Sequence, residues 1–479
     1  SKMSHSPLTD LPTELLRHVI AQLPHAQAVA SLSAVNHGLH WYIEEDGWRI
    51  FVQNRFPSLW PPSATSYRDV ARTCTTWSKA WDRRSLVARC IQPEGDIWSL
   101  PAAEVLRMWK RPRGQTIGFT PQLDVYESVG ETWVQREEVL AYSAGAEVCV
   151  RRKKGRDAKW LAYRPLKAIE GHEDVTSLHL VRPREGESGQ TIVVGTANGD
   201  LRIVCLPTES CAEVKTRYCA TQGQPVRSGS LLQQDDVNLV AANLGDRRIS
   251  LFQIDDGGPK ICPSSSIDIE PTASRQRIWS THFLSSKHVA AGVGLSDAPI
   301  LIYNLTPSGL EREPARKFQL QNTQEEAARC GPEARSSIYP IVPLPSGNGT
   351  FLSGAHDGIV RLHDLRSNRN VERTFVDSTD VSAVYSLLAQ GHERILAGGS
   401  RHCLLKVFDL RMGAKAYSYC ETPPKSQDWN LFLQMPVRSR SRTRRNRESP
   451  VYSLASAAAY NPHIYAGVED TVIDVAFTD

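Results

Sequence analysis

The sequence predicts an α + all-β protein, with a helical N-terminal portion followed by a closed ring of seven small antiparallel sheets. Three observations predict it. Apolar residues recur at helical spacing ahead of residue 115. Beyond it, short alternating runs separated by turn residues take over. There, a unit made of a small residue, a tight turn and a strand returns six times.

Composition sets the outer limits. The chain has 479 residues, of which 41% are hydrophobic and 23% charged, an ordinary globular balance with room for two or three structural units. No apolar run approaches the ~20 residues of a membrane crossing, and no basic segment leads into an apolar stretch at the N-terminus. Action inside the cell, in cytoplasm, nucleus or both, is therefore expected. Ten cysteines occur without a C-x-x-C pair, so reduced thiols are expected and no cofactor or metal is implied. The net charge is +4, and leaving out the six arginines of "VRSRSRTRRNRESP" (Arg438, Arg440, Arg442, Arg444, Arg445, Arg447) brings it to −2. The basicity is local.

The first helix is read from "LTDLPTELLRHVIAQLP", where Leu11, Leu15, Leu16, Val19, Ile20 and Leu23 recur at three-to-four-residue spacing and Pro12 sits where a first turn tolerates it. Pro24 stops it. "AQAVASLSAVNHGLHWYI" then predicts a second helix with Val29, Leu32, Val35, Leu39 and Ile43 on one face, and "EEDGWRIFVQNRF" adds Trp48, Ile50 and Phe51. So small a helical unit cannot bury all this surface alone. Leu8, Leu11 and Pro12 should project from its end as an apolar patch suited to a partner.

The order L-x-x-L-P-x-E-L-L, two helices and W-x-x-F over residues 7–52 resembles the F-box, which docks a Skp-family adaptor in cullin ubiquitin ligases. The resemblance implies adaptor contact through Leu8, Leu11, Pro12, Glu14, Leu15, Leu16, Val35 and Trp48, and through the adaptor a link to cullin and RING subunits. Residues 53–114 read as a tryptophan-rich helical connector, because seven of the eleven tryptophans fall between Trp41 and Trp109. Within it, "SYRDVARTCTTWSKAWDRRSLVARCI" predicts one helix and "PAAEVLRMW" a shorter one. Such aromatics should fix the helices firmly against the C-terminal ring.

The repeat occupies residues 115–479. Its tight turns carry Asn198, Asp246, Asp297, Asp357, His402 and Asp470, separated by 48, 51, 60, 45 and 68 residues. Insertions at 306–337 and 413–450 account for the long intervals. An earlier strand precedes each turn: "VTSLHLV", "VRSGSLL", "IWSTHFL", "IYPIVPL", "VYSLLAQ" and "VYSLASA". "EVLAYSAGAEVCVRRK" supplies a seventh unit. The units resemble divergent WD-type β-propeller blades, with "GHEDVTSLHL" like the opening G-H and "HDGIVRLHDLR" like the ending. Val204, Phe252, Tyr303, His363 and Phe408 stand at the signature Trp position, and Asp364 and Asp409 keep the following Asp. The last blade lacks room for its outermost strand, so residues 115–128 are expected to close the ring.

No protease, hydrolase, nucleotide-binding or dinucleotide-binding motif is complete, and no catalytic residue is assigned. Together, the two resemblances imply a non-catalytic F-box/WD-repeat substrate receptor, in which helices hold the adaptor and the propeller holds a target protein for ubiquitination. The residue before each tight turn should lie near the binding face: Ala197, Gly245, Ser296, His356, Arg401 and Glu469. Of these, His356, Arg401 and Glu469 are the candidate target contacts, Arg401 standing at the position where the family's phosphate-binding arginine occurs. A rival reading takes "HDLR" and "FDLR" as D-x-R motifs (Asp364, Arg366, Asp409, Arg411) that dock the damaged-DNA-binding adaptor of another cullin ligase. A third is a non-degradative interaction scaffold. The arginine run suggests a solvated loop, nuclear import, or phosphorylation at Ser439, Ser441 or Ser449. Nucleic acid is not an expected partner, since no aromatics interleave the run.

Overall fold

A computed structural model describes residues 11–56, 66–110, 118–128, 136–165, 171–184, 189–207, 213–234, 237–255, 258–270, 276–321, 336–345, 349–391, 394–410, 429–433, 448–458 and 461–478. Leu8, Arg411 and the arginine run lie outside these residues.

The periodic apolar residues form α1 (Thr13–Gln22) and α2 (Ala26–Ser33). The second predicted helix is in fact two. Asn36 Oδ1 accepts a hydrogen bond from Leu39 N (2.9 Å), capping a new helix, α3 (His37–Tyr42), instead of continuing α2. A π-helical turn at Ile43–Gly47 leads into α4 (Trp48–Arg55). Ile20, Val29, Ile43, Trp48, Phe51 and Val52 fill the small core between them.

Helix α5 (Tyr67–Arg83) belongs to two cores at once. Val70, Ala71 and Cys74, in its first half, pack into the helical unit. In its second half, Trp77, Ala80 and Trp81 pack on Leu396, Leu405, Val407, Trp429, Val475 and Phe477 of the sheets. The Trp81 ring stacks on Phe477 with centroids 3.7 Å apart. Arg394 lies over Trp77 and Trp81 and pairs with Asp82 at 3.3 Å. A buried indole removes about 150–250 Å² from water, worth roughly 4–6 kcal/mol at ~25 cal/mol/Å². Two such rings plus a sandwiched guanidinium hold the helices in one orientation on the ring.

Among the described residues there are seven sheets, each built on four antiparallel strands, arranged as the blades of a β-propeller. The innermost strands are Leu123–Ser128, Val175–Val181, Val226–Gln233, Arg277–Ser285, Ile338–Pro343, Val384–Gln390 and Val451–Ala455, numbered here as blades 1 to 7.

Two expectations about closure and the connector are corrected. The outermost strand of blade 7 is Leu86–Ile91, paired antiparallel to Thr471–Phe477 from Leu86↔Phe477 to Ile91↔Val472. Residues 123–128 are taken up as the innermost strand of blade 1. The predicted long helix stops at Arg83 because Arg84 adopts the left-handed conformation (φ 55°), and "LVARCI" then satisfies the open sheet edge. The shorter helix predicted from "PAAEVLRMW" is likewise absent. Ile97–Leu100 and Glu104–Leu106 form a hairpin added to the outside of blade 1, Ile97–Leu100 running parallel to Asp157–Tyr163. The two insertions also carry structure: Arg316–Phe318 is an outer strand of blade 4, and Trp429–Phe432 is that of blade 6.

One device recurs between blades. In blades 2 to 7 the innermost strand bulges near its start, after a buried aliphatic residue: Val175, Val226, Ile278, Ile338, Val384 or Val451. A side chain beside the bulge reaches the next blade's backbone. Thr176 Oγ1 donates to the Val226 carbonyl (2.6 Å), Asn243 Nδ2 to Ile278 (3.0 Å), Ser386 Oγ to Val451 (2.7 Å) and Ser453 Oγ to Pro121 (2.6 Å). Glycine is required opposite two of these serines. A Cβ on Gly398 would collide with Ser386 Oγ and Val451, and one on Gly467 with Ser453 Oγ.

Where the signature tryptophan is replaced by His363, the imidazole is fully buried and satisfied on both nitrogens, by Ser353 Oγ (2.8 Å) and the Asn370 carbonyl (2.7 Å). It stacks on Phe351. Burial pushes its pKa down to about 3, so it is a neutral core group.

Candidate protein-interaction face

The bulges decide what one face of the ring displays. The extra residue at each bulge escapes the regular pairing and sits at the mouth of the ring, beside the tight turns. From blade 2 to blade 7 these residues are Thr176, Arg227, Trp279, Tyr339, Tyr385 and Tyr452. Three of them form a continuous aromatic arc. Trp279 meets Tyr339 edge-on at 4.9 Å between centroids, and Tyr339 meets Tyr385 edge-on at 5.2 Å. Arg277 lies 3.4 Å above the Trp279 ring. Tyr339 OH is 3.2 Å from His356 Nδ1. Burial raises the Tyr339 pKa, the neighbouring Tyr385 adding to the rise and Arg277 opposing it, so the phenol is neutral at physiological pH. Tyr385 is exposed, and so are Leu295 and Val381 in loops of the same face. Such an arc offers flat apolar area with hydroxyl and guanidinium donors along its margin.

The predicted ring of residues before the tight turns lies on this same face. His356 N donates to the Ser337 carbonyl (3.0 Å), two residues before Tyr339. Ser400 N donates to the Ala383 carbonyl (2.8 Å), two residues before Tyr385, which sets the turn of the exposed Arg401 against the start of that strand. Glu469 is half-buried and faces Gly118, and its backbone N–H donates to Ser449 Oγ (2.9 Å). Ser449 is itself buried and donates to the Pro450 carbonyl (2.8 Å). The sequence reading found the turn residues and missed the bulge residues. Their signal was present in the aliphatic-x-Ser starts of the quoted strands, whose middle residue changes from Thr to Arg, Trp and Tyr.

The helical unit carries a second exposed surface. Pro12 and Glu14 are exposed, Leu11 is half-buried, and Leu15 and Val35 are 49% and 64% exposed. Trp41, which the sequence reading did not assign, is 74% exposed. Tyr42 OH donates to the Thr13 carbonyl (3.2 Å), so the start of α1 and the end of α3 are neighbours and Leu15 and Trp41 lie on adjoining elements. Two assignments are corrected. Leu16 and Trp48 are 6% and 4% exposed and serve the unit's own core, Trp48 Nε1 donating to Glu44 Oε1 (3.1 Å). Of the D-x-R residues, Arg411 lies outside the described residues and the Arg366 side chain is exposed. Asp364 is held by its own Arg366 through two contacts, Nε to Oδ1 (3.0 Å) and Nη2 to Oδ2 (2.8 Å), and Asp409 is buried.

Among the described residues, no group of three or more His, Cys, Asp or Glu is placed to hold a metal ion, and no helix is long and apolar enough to cross a membrane.

No known family profile matches the chain. Over 203 residues, 41% of its length, it is 30% identical to the target of rapamycin complex 1 subunit mip1 of Schizosaccharomyces pombe (strain 972 / ATCC 24843), of which it spans 13%. The crystal structure of Chaetomium thermophilum Raptor superposes on 97% of this chain with a TM-score of 0.50 at 14% identity, and the chain spans 38% of it. This likeness is one of fold. The chain has a WD-like seven-bladed propeller preceded by helices.

Proposed function

We propose that this chain is a non-catalytic scaffold that holds a protein partner on the mouth of its propeller and fixes it relative to the N-terminal helices. The carrying observation is the arc of Trp279, Tyr339 and Tyr385, partly exposed on a ring whose blades are locked to one another. A rigid aromatic surface binds at low ordering cost. The mip1 relative is named as a complex subunit, which supports a role as one component of an assembly. In affinity purification of the full chain, the combined Tyr339→Ala and Tyr385→Ala change should remove bound proteins while leaving the melting temperature within a few degrees. Unchanged recovery from a folded variant would refute the proposal.

A second reading assigns the helical unit to a Skp-family adaptor, making the chain the target-binding subunit of a cullin ligase. The exposure of Leu15, Val35 and Trp41 on so small a unit favours it. Size-exclusion chromatography of the chain with a purified Skp-family adaptor tests this directly. A complex lost on Leu15→Asp with Trp41→Asp supports it, and separate elution of the wild-type proteins rejects it.

A further inference from the structure

The charges around the aromatic arc are unequal in a way that selects a partner. Five carboxylates of this face are already engaged. Asp246 is 3.7 Å from Arg227, Asp357 pairs with Arg361 (2.7 Å), and Asp380 pairs with Lys406 (3.0 Å). Asp377 accepts from Thr379 Oγ1 (2.6 Å) and Asn430 Nδ2 (2.8 Å), and Asp470 accepts from Phe119 N (3.0 Å). No acidic partner among the described residues faces either Arg277, lying on the Trp279 ring at one end of the arc, or Arg401, on the turn that follows Ser400 at the other, where Ser400 N donates to the Ala383 carbonyl. Between them lie the Tyr339 ring and the exposed side chain of Tyr385, with Val381 78% exposed nearby.

Accepting that the propeller mouth is the interaction face, we propose that its occupant is an extended acidic segment of another protein, with a bulky apolar residue seated on Tyr339 and Tyr385 and carboxylates on either side paired with Arg277 and Arg401. The chemistry is complementary at each point. A guanidinium stacked on an indole keeps its N–H fork in its own plane, free for a carboxylate. The apolar residue covers tyrosine rings whose hydroxyls stay at the wet margin. An extended chain also suits a curved row of side chains contributed by successive blades.

Fluorescence anisotropy of the full chain tests this with labelled synthetic peptides that share one central tryptophan. The flanks are Asp/Glu, Asn/Gln, phosphoserine, Pro or Lys/Arg. We expect the Asp/Glu peptide to bind about tenfold or more tighter than the Asn/Gln peptide, and to weaken by at least as much on Arg401→Glu or Arg277→Glu and on raising the salt concentration. Arg401→Glu changes an exposed turn, and circular dichroism checks that each variant is folded. Tightest binding of the proline, basic or phosphoserine peptide would overturn the acidic assignment. If that binding still depended on Tyr339 and Tyr385, the interaction face itself would stand. Failure of every peptide to bind, with partner recovery in purification unaffected by the tyrosine changes, would remove both.

Discussion

Ser386 Oγ donates a 2.7 Å hydrogen bond to the carbonyl of Val451, joining the innermost strand of blade 6 to that of blade 7. The bond is buried, and Gly398 must lack a side chain to make room for it. Ser386→Ala leaves a buried carbonyl without its donor and should cost about 1–3 kcal/mol. Gly398→Ala should cost a similar ~1–3 kcal/mol through overpacking. Urea unfolding curves would show both as lower midpoints with unchanged slopes.

Trp81 couples helices to ring. Replacing it with alanine removes the stack on Phe477 and the seat of Arg394, at an expected cost of ~3–5 kcal/mol. Because α5 also belongs to the helical core, the variant should melt in two separable transitions where the wild type melts in one. Calorimetry distinguishes the outcomes.

Acid should weaken the propeller through its buried histidines. Burial lowers the His363 pKa to about 3 and that of His179 to about 4 from an ordinary 6.5. The folded state therefore binds these protons less readily than the unfolded chain. Their stabilising contribution is full above pH ~6.5 and is lost as pH falls towards the folded values. A His363→Gln variant, which keeps hydrogen-bonding capacity without titrating, should lose stability less steeply, by about 1 kcal/mol per pH unit below 6.5. Denaturant midpoints for the two proteins across that range would converge on acidification if this is right.

Leu15 and Trp41 project from the helices and pack on little of their own chain. Asp at both positions should change stability by no more than ~0.5 kcal/mol. A larger loss in thermal melting would mean that these side chains support the fold and are not a spare surface.

Much of this fold could be read locally. The strand starts of blades 2 to 7 were visible as aliphatic-x-Ser or aliphatic-x-Pro runs, and Asn198, Asp357 and Asp470 marked real turns. What escaped depended on distance. Nothing within "LVARCI" says that it pairs with residues almost four hundred positions away, and following a helical period it reads as more helix. Arg316–Phe318 and Trp429–Phe432 are too short to show alternation. Trp279, Tyr339 and Tyr385 looked like ordinary strand aromatics, since only the bulges turn them to the mouth. Leu16 and Trp48 were misassigned because helical spacing shows that a residue is apolar, and only packing shows which side of the unit it faces.

The strand Leu86–Ile91 must wait for Thr471–Phe477 before it has a neighbour, and Ser85 Oγ reaches the Thr478 carbonyl across 393 positions. On the ribosome this segment emerges long before its mate, and until the mate is made the nascent chain carries an unpaired edge. Assembly of the circle thus waits until Thr471–Phe477 captures the far earlier Leu86–Ile91, and a polypeptide interrupted before that point should become a client for chaperones instead of a smaller working ring.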